Sequence, residues 1–285
     1  MVALVLFAAG CSGGGSGDRI AFASDRDGDY EIFVMNADGT DVRQLTSNED
    51  DEMFPAWSPD GNRIAFMSNR DGDYEIFVMN ADGGAVRQLT DNYNSDSTPA
   101  WSPDGNHIAF MSNRGGEFNI FVMNADGGAV RQLTDNDDRE STPAWSPDGN
   151  HIAFMKGEWT ELKEAEIFVM NADGGAVRQL TDNDDFESTP AWSPDGTLIA
   201  FDSSSLSRDD DTEIFVMNAD GTDVRQLTDN DDGDHSPAWS PDGNRIAFES
   251  DRNGDWMDWE IFVMNADGTD VYSTGQKGYR PSFGG

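Results

Sequence analysis

The chain has 285 residues, 36% of them apolar, and sets 55 Asp and Glu against 18 Lys and Arg, for a formal net charge of −37. That balance excludes nucleic acid as a ligand, because affinity for a polyphosphate backbone is built by neutralising it with Lys and Arg, and it disfavours an anionic membrane surface for the same reason. A single cysteine excludes an intrachain disulfide.

The first element in chain order is an apolar run from Met1 to Gly10, relieved only by small residues and ending Phe7-Ala8-Ala9-Gly10-Cys11. Too short to span a bilayer, it reads as the apolar end of a secretion signal. Small residues directly before a cysteine, followed by the Gly/Ser tether Ser12 to Gly17, resemble the lipobox of bacterial lipoproteins. The resemblance implies lipidation at Cys11 and attachment to the membrane only through that anchor. An ordinary secretion signal with an incidental cysteine is the alternative. Residues 1–17 are therefore assigned to signal and tether, and residues 18–285 to one folded domain.

From there the chain repeats itself, and a fixed period of several tens of residues means stacked units that cannot bury their apolar faces alone. Ile-Ala-Phe begins at Ile20, Ile64, Ile108, Ile152, Ile199 and Ile246, at spacings of 44, 44, 44, 47 and 47 residues. Ile-Phe-Val-Met-Asn-Ala-Asp-Gly begins at Ile32, Ile76, Ile120, Ile167, Ile214 and Ile261. Val-Arg-Gln-Leu-Thr begins at Val42, Val86, Val130, Val177 and Val224, with a degenerate copy at Val271. A fourth segment, Pro-Ala-Trp-Ser-Pro-Asp-Gly, is copied from Pro55 onwards.

Four short apolar segments per unit, separated by turn residues, predict consecutive antiparallel strands. Ser-Pro-Asp-Gly supplies a Pro preset for a tight turn and a Gly free to take positive φ, and Asn-Ala-Asp-Gly makes a second hairpin turn. In the third strand Ile76 and Val78 point one way and Phe77 and Met79 the other, so both faces of each sheet need cover. Six four-stranded sheets packed around an axis meet that need for every copy. The predicted fold is an all-β, six-bladed β-propeller, with each Trp filling space between blades. The chain opens without a Pro-Ala-Trp strand and ends with Pro281-Ser282-Phe283, a worn copy of it. That C-terminal strand is expected to pair with the first three N-terminal strands and close the ring.

These Pro-Ala-Trp-Ser-Pro-Asp-Gly, Ile-Ala-Phe and Glu-Ile-Phe-Val-Met-Asn-Ala-Asp-Gly segments resemble the TolB-type propeller repeat over nearly all of residues 18–285. The resemblance implies the propeller fold and a location in the bacterial envelope, periplasm or cell surface.

The two repeated turns fall on one face, and sequence variation falls on the other. There the last three units insert three extra residues, in the segments Lys156 to Ala165, Asp202 to Thr212 and Glu249 to Trp259. Trp159, Leu162, Leu206, Trp256, Met257 and Trp259 would give that half of the face an apolar cluster of the kind that marks a partner site. Loops folding their own aromatics onto the blades are the alternative.

Acidic residues recur three positions before each blade-opening Pro, at Glu52, Asp96, Glu140, Glu187 and Asp234, with Gly278 breaking the series. If the Pro-Ala-Trp strand is innermost, these carboxylates ring the channel mouth, either as a solvated acidic rim or as a site for Ca²⁺, which favours carboxylate and carbonyl oxygens. The Asp25 to Glu31 loop has alternating carboxylates, but its Gly lies between the second and third Asp and no helix flanks it, so it reads as a turn.

Catalytic signals are sparse: the repeat domain, residues 18–285, has no Gly-x-Ser-x-Gly elbow. His107 and His151 occupy the position of Arg63 and Arg245, leaving His235 as the histidine of the variable face. Oligogalacturonate lyases, propellers of similar sequence, use several His around a metal, which one His does not reproduce. The expected function is a non-enzymatic binding or scaffold module for a protein or glycan ligand of the cell envelope. The alternatives are a calcium-dependent enzyme acting on polysaccharide and a self-associating structural repeat protein.

Overall fold

A computed structural model describes residues 19–158, 163–205, 212–253 and 259–284. Among these residues the chain forms six four-stranded antiparallel sheets and no helix. The first three strands are β1 (Arg19–Ser24), β2 (Glu31–Asn36) and β3 (Arg43–Gln44). Blade 2 follows as β4 (Glu52–Trp57), β5 (Arg63–Ser68), β6 (Glu75–Asn80) and β7 (Arg87–Gln88). Blade 3 is β8 (Asp96–Trp101), β9 (His107–Ser112), β10 (Asn119–Asn124) and β11 (Arg131–Gln132). Blade 4 is β12 (Arg139–Trp145), β13 (His151–Glu158), β14 (Lys163–Asn171) and β15 (Arg178–Gln179). Blade 5 is β16 (Asp185–Trp192), β17 (Leu198–Ser205), β18 (Thr212–Asn218) and β19 (Arg225–Gln226). Blade 6 is β20 (Asp234–Trp239), β21 (Arg245–Ser250), β22 (Glu260–Asn265) and β23 (Tyr272–Lys277). The last strand, β24 (Tyr279–Gly284), returns to β1 and completes blade 1 in the order β24-β1-β2-β3, so the ring closes as the sequence predicts.

Each Ser-Pro-Asp-Gly turn is locked by its own side chains. Ser58 accepts the Gly61 amide at 2.9 Å through its carbonyl, and its hydroxyl donates to Asp60 Oδ1 at 2.5 Å, while Asp60 also accepts the Asn62 amide at 3.1 Å. The Ser58 hydroxyl and the Asn62 donors pull the Asp60 carboxyl down to about 2. Gly83, in the other turn, has φ +87 and stands where a Cβ would lie 2.8 Å from the Leu45 carbonyl of the preceding blade. That glycine is where blade backbones touch, so no other residue fits.

The core repeats between blades. Ile64, Phe66, Phe77 and Met79 of blade 2 pack on Ala21, Ala23, Ile32 and Val34 of blade 1, with Trp57 between them. The opposite face, Ala65, Met67, Ile76 and Val78, packs on Trp101, Ile108, Phe110, Phe121 and Met123 of blade 3. Full burial of one such side chain stabilises the fold by roughly 1.5–3 kcal/mol. Trp101 also donates from Nε1 to the Ala56 carbonyl at 3.1 Å, tying one inner strand to the next.

Two elements depart from expectation. The outer strand expected over Val86 to Leu89 shrinks to Arg87–Gln88, because Thr90 Oγ1 accepts the Ile76 amide at 2.9 Å where a ladder bond would otherwise run. The inserted residues of units four and five extend their hairpins instead of forming only loop: Gly157 pairs with Ala165 and Ser204 with Thr212.

Candidate functional site

The inner strands carry a β-bulge at one repeated position, one residue before each Pro. There Phe54, Thr98, Thr142, Thr189, Ser236 and Arg280 have φ between 46 and 57°, and the register of each strand shifts across the same step. Left-handed backbone at a non-Gly residue costs on the order of 1–3 kcal/mol. Its recurrence in all six blades shows an architectural device. The bulge carries these six residues to the axis, where with the Pro-Ala-Trp steps they line the central cavity.

The same bulge moves the recurrent carboxylates off the axis. Glu52, Asp96, Glu140 and Asp234 are 0% exposed and Glu187 is 2% exposed, so they lie inside the blade junctions and not on an open rim. Glu52 takes the Ser68 hydroxyl at 2.7 Å and Arg70 at 2.9 Å on Oε1, and Asn48 Nδ2 at 2.5 Å on Oε2. Asp96 takes Arg114 at 2.5 Å and Asn92 at 3.0 Å, and Asp234 takes Arg252 and Asn230. Glu140 takes Thr134 and Asn136, and Glu187 takes Asn183 and Ser203.

Three junctions bring a second carboxyl from the preceding blade against the first: Glu31 with Glu52, Glu75 with Asp96, and Glu166 with Glu187. Asn230 binds both Glu213 and Asp234 at a fourth. Burial, then the neighbouring carboxyl, raises Glu31 to about 7 and Glu187 to about 8; burial also raises Glu75 to about 7. At Gly278 a Cβ would stand 2.4 Å from Phe22 Cδ2, and the Lys277 carbonyl replaces the carboxylate, accepting Ser24 Oγ at 2.9 Å and Arg26 Nη2 at 2.8 Å. Among the described residues no group of three or more His, Cys, Asp or Glu side chains is arranged to hold a metal ion.

At the variable end the second strands differ in the residue after Ile-Ala-Phe, which reads Ala23, Met67, Met111, Met155, Asp202 and Glu249 around the ring. Asp202 and Glu249 close one half with polar bonds. Asp202 accepts the Ser188 and Thr189 hydroxyls and the Ser236 amide, with His235 Nδ1 at 3.9 Å. Glu249 accepts the Ser236 hydroxyl and the Arg280 amide, and Arg280 Nη1 donates to Ser236 Oγ at 2.8 Å. The other half is an open cavity of about 520 Å³ whose lining includes Phe54, Met67, Tyr74, Met111, Phe118 and Met155. Arg139 lies at its wall, 4.7 Å over the Phe118 ring. The signal for this division was in the sequence: the position after Ile-Ala-Phe changes from Ala and Met to Asp and Glu around the ring, directly after an unchanging Phe.

Of the residues expected to form an apolar partner patch, Trp259 packs edge-on against His235 with centroids 5.0 Å apart, folded onto blade 6. Trp159, Leu162, Leu206, Trp256 and Met257 lie outside the described residues, as does Cys11.

The family model of the TolB beta propeller domain matches residues 12–73, 49–163 and 203–283. No curated protein matches the chain. Among solved structures, TolB from Acinetobacter baumannii is similar at 21% identity and TM-score 0.77, over 95% of this chain and 67% of that one. A nidogen/laminin complex chain is similar at 12% identity and TM-score 0.74, over 93% and 98%. An oligogalacturonate lyase from Vibrio parahaemolyticus is similar at 16% identity and TM-score 0.60, over 91% and 73%. At such identities the likeness is one of fold.

Proposed function

The chain belongs to the TolB beta propeller domain family, and we propose that it is a non-enzymatic binding module whose ligand docks at the variable-face mouth of the propeller. The observation that carries this is the division of that mouth: one half is closed by Asp202, Glu249 and Arg280 bonded to their own neighbours, and the other is an open apolar cavity. A preformed concave site with few polar groups suits recognition. The nidogen/laminin structure, a protein complex by its description, is consistent with the fold serving in this way. The signal-like N-terminus supports an extracytoplasmic site of action with a lipid anchor at Cys11.

The test is direct binding of partners cross-linked to the propeller in envelope extracts and then purified. Met111→Lys at the mouth should abolish binding, and Asp104→Lys on the opposite face should not. Equal binding by the two variants overturns the assignment, and turnover on a panel of polysaccharides would replace it with an enzymatic one. Membrane fractionation of wild type and Cys11→Ala tests the anchor, which fails if both proteins partition alike.

A further inference from the structure

We propose that the junction of blades 4 and 5 binds an external guanidinium group, in the place where blades 1, 2, 3 and 6 hold an arginine of the chain itself. This site and the cavity of the mouth share no described lining residue, so it stands apart from the assignment made there.

The repeat provides the measure of the site. Arg26, Arg70, Arg114 and Arg252 each lie over the paired phenylalanines of their own blade, with the guanidinium carbon between 4.4 and 5.7 Å from the ring centroids. Each donates from Nε to the hydroxyl of the serine two residues earlier, at 2.9 to 3.0 Å. Arg70, Arg114 and Arg252 also reach the recurrent carboxylates Glu52, Asp96 and Asp234. Blade 4 uses a lysine instead: Lys156 Nζ lies 2.9 Å from Asp138 and 5.6 Å from the Phe168 ring centroid.

Blade 5 keeps the receiving groups and has a serine where each cation would start. Ser205 stands at the position of Arg70, and Ser203 at that of Lys156. The residues matching the arginine's contacts, Phe201, Phe215, Ser203 and Glu187, all line one cavity of about 330 Å³, together with Asp185, which matches Asp138. Two of these groups are open to it. Ser203 is 7% exposed where Ser68, Ser112 and Ser250 are 0% exposed. Phe215 is half-buried where Phe33, Phe77, Phe121 and Phe262, each beneath an arginine, are 4% exposed.

The chemistry of the wall selects the ligand. An open phenylalanine face beside a hydroxyl acceptor suits a planar, weakly hydrated cation with N–H donors along its edge. Asp182 and Asp185 line the same cavity, and carboxylates in a chain of net charge −37 draw a cation towards it. A compact, strongly hydrated ammonium is the poorer fit. The volume lies at the lower end of the range typical of small-molecule sites, roughly 300–1,000 Å³, which matches a guanidinium carried on a short chain.

Ethylguanidinium, ethylammonium and the neutral isostere ethylurea serve as probes, titrated into the folded protein at constant pH and ionic strength and followed by the NMR signals of the Phe215 ring and the Ser203 amide. Ethylguanidinium should shift both signals saturably, ethylammonium should bind about tenfold more weakly, and ethylurea not measurably. Ser203→Lys recreates the arrangement of blade 4 and should abolish ethylguanidinium binding, whereas unchanged binding in that variant overturns the site. Should it not fold, Phe215→Leu removes the ring while keeping an apolar side chain, and should weaken ethylguanidinium about tenfold. Arg208 lies outside the described residues; binding that appears only in Arg208→Ala would mean that the chain supplies its own guanidinium, and would overturn an external ligand. Free arginine and the peptide acetyl-Gly-Arg-Gly-amide separate the two sources of the group: tighter binding of the peptide assigns the site to an arginine side chain of a protein partner, and tighter binding of the amino acid to a small molecule. No saturable shift at Phe215 and Ser203, or equal affinity for ethylguanidinium and ethylurea, overturns the proposal.

Discussion

Glu166 and Glu187 meet across the junction of blades 4 and 5, and Oε2 of each is buried without a hydrogen-bond partner. Burial and the neighbouring Glu166 carboxyl hold a proton on Glu187, and that proton, shared across the contact, accounts for it. At the equivalent junction Glu52 has Arg70 from Ser68-Asn69-Arg70, whereas the sequence beside Glu187 reads Ser203-Ser204-Ser205. Among the described residues no guanidinium is bonded to Glu187, in agreement with its standing highest, at about 8.

The pH dependence of stability follows from the sign of these shifts. Glu31 and Glu75, near 7, and Glu187, near 8, hold protons more tightly folded than at their ordinary value of 4.5. Their contribution is whole below that ordinary value, erodes as the pH rises, and is lost above the folded values. The turn aspartates Asp60, Asp104, Asp148 and Asp242, lowered to about 2 by serine hydroxyls, act in the opposite sense and matter only in stronger acid. Thermal unfolding should therefore show the melting temperature falling as pH rises from about 5 to 8.5, with a shallower fall in Glu187→Gln. A slope unchanged by that substitution would refute the shared proton.

Closure of the ring leaves no room at Gly284, where a Cβ would lie 2.0 Å from Trp57 Cγ. Gly284→Ala must displace the indole that fills the junction between blades 1 and 2. Overpacking of this kind costs typically ~1–3 kcal/mol. Urea unfolding should show a lower midpoint at unchanged m-value; an unaltered midpoint would mean that the closing strand is not held as described.

Blade number, strand order and closure were legible because they follow from repeat count and alternation: Ile76 and Val78 do face one blade while Phe77 and Met79 face the other. The site was less so. Counting back three residues from Pro places Glu52 on the axis only if the strand is regular, and the bulge at Phe54 rotates the chain between them. No residue type announces that bulge; Phe, Thr, Ser and Arg all occupy it. The long loops drew attention by their aromatics, yet the open cavity lies mainly on blades 2 to 4, where the signal was methionine at one repeat position after an unchanging Phe.

Chelation gives a clean test of calcium at the recurrent carboxylates. Both Glu52 oxygens are already engaged, by Ser68 and Arg70 on one and Asn48 on the other, and the Arg114 and Arg252 guanidinium groups lie against Asp96 and Asp234. A divalent cation entering there would face a fixed positive charge. Melting temperatures with and without a chelator should agree at constant pH and ionic strength; stabilisation by added calcium that Glu52→Gln removes would restore an ion to the junction.

Asp202 tests the closed half of the mouth. Its carboxylate holds the Thr189 hydroxyl and the Ser236 amide, and both of those residues are in the left-handed bulge conformation. The same side chain therefore ties together the bulges of blades 5 and 6. Asp202→Ala leaves a buried amide and two hydroxyls without their acceptor, a loss of about 1–3 kcal/mol for each group that finds no substitute. Amide hydrogen exchange should accelerate at Ser236 while that at Thr98 and Thr142, across the mouth, stays unchanged. Uniform acceleration around the ring would show that Asp202 stabilises the propeller as a whole and not this half of its mouth.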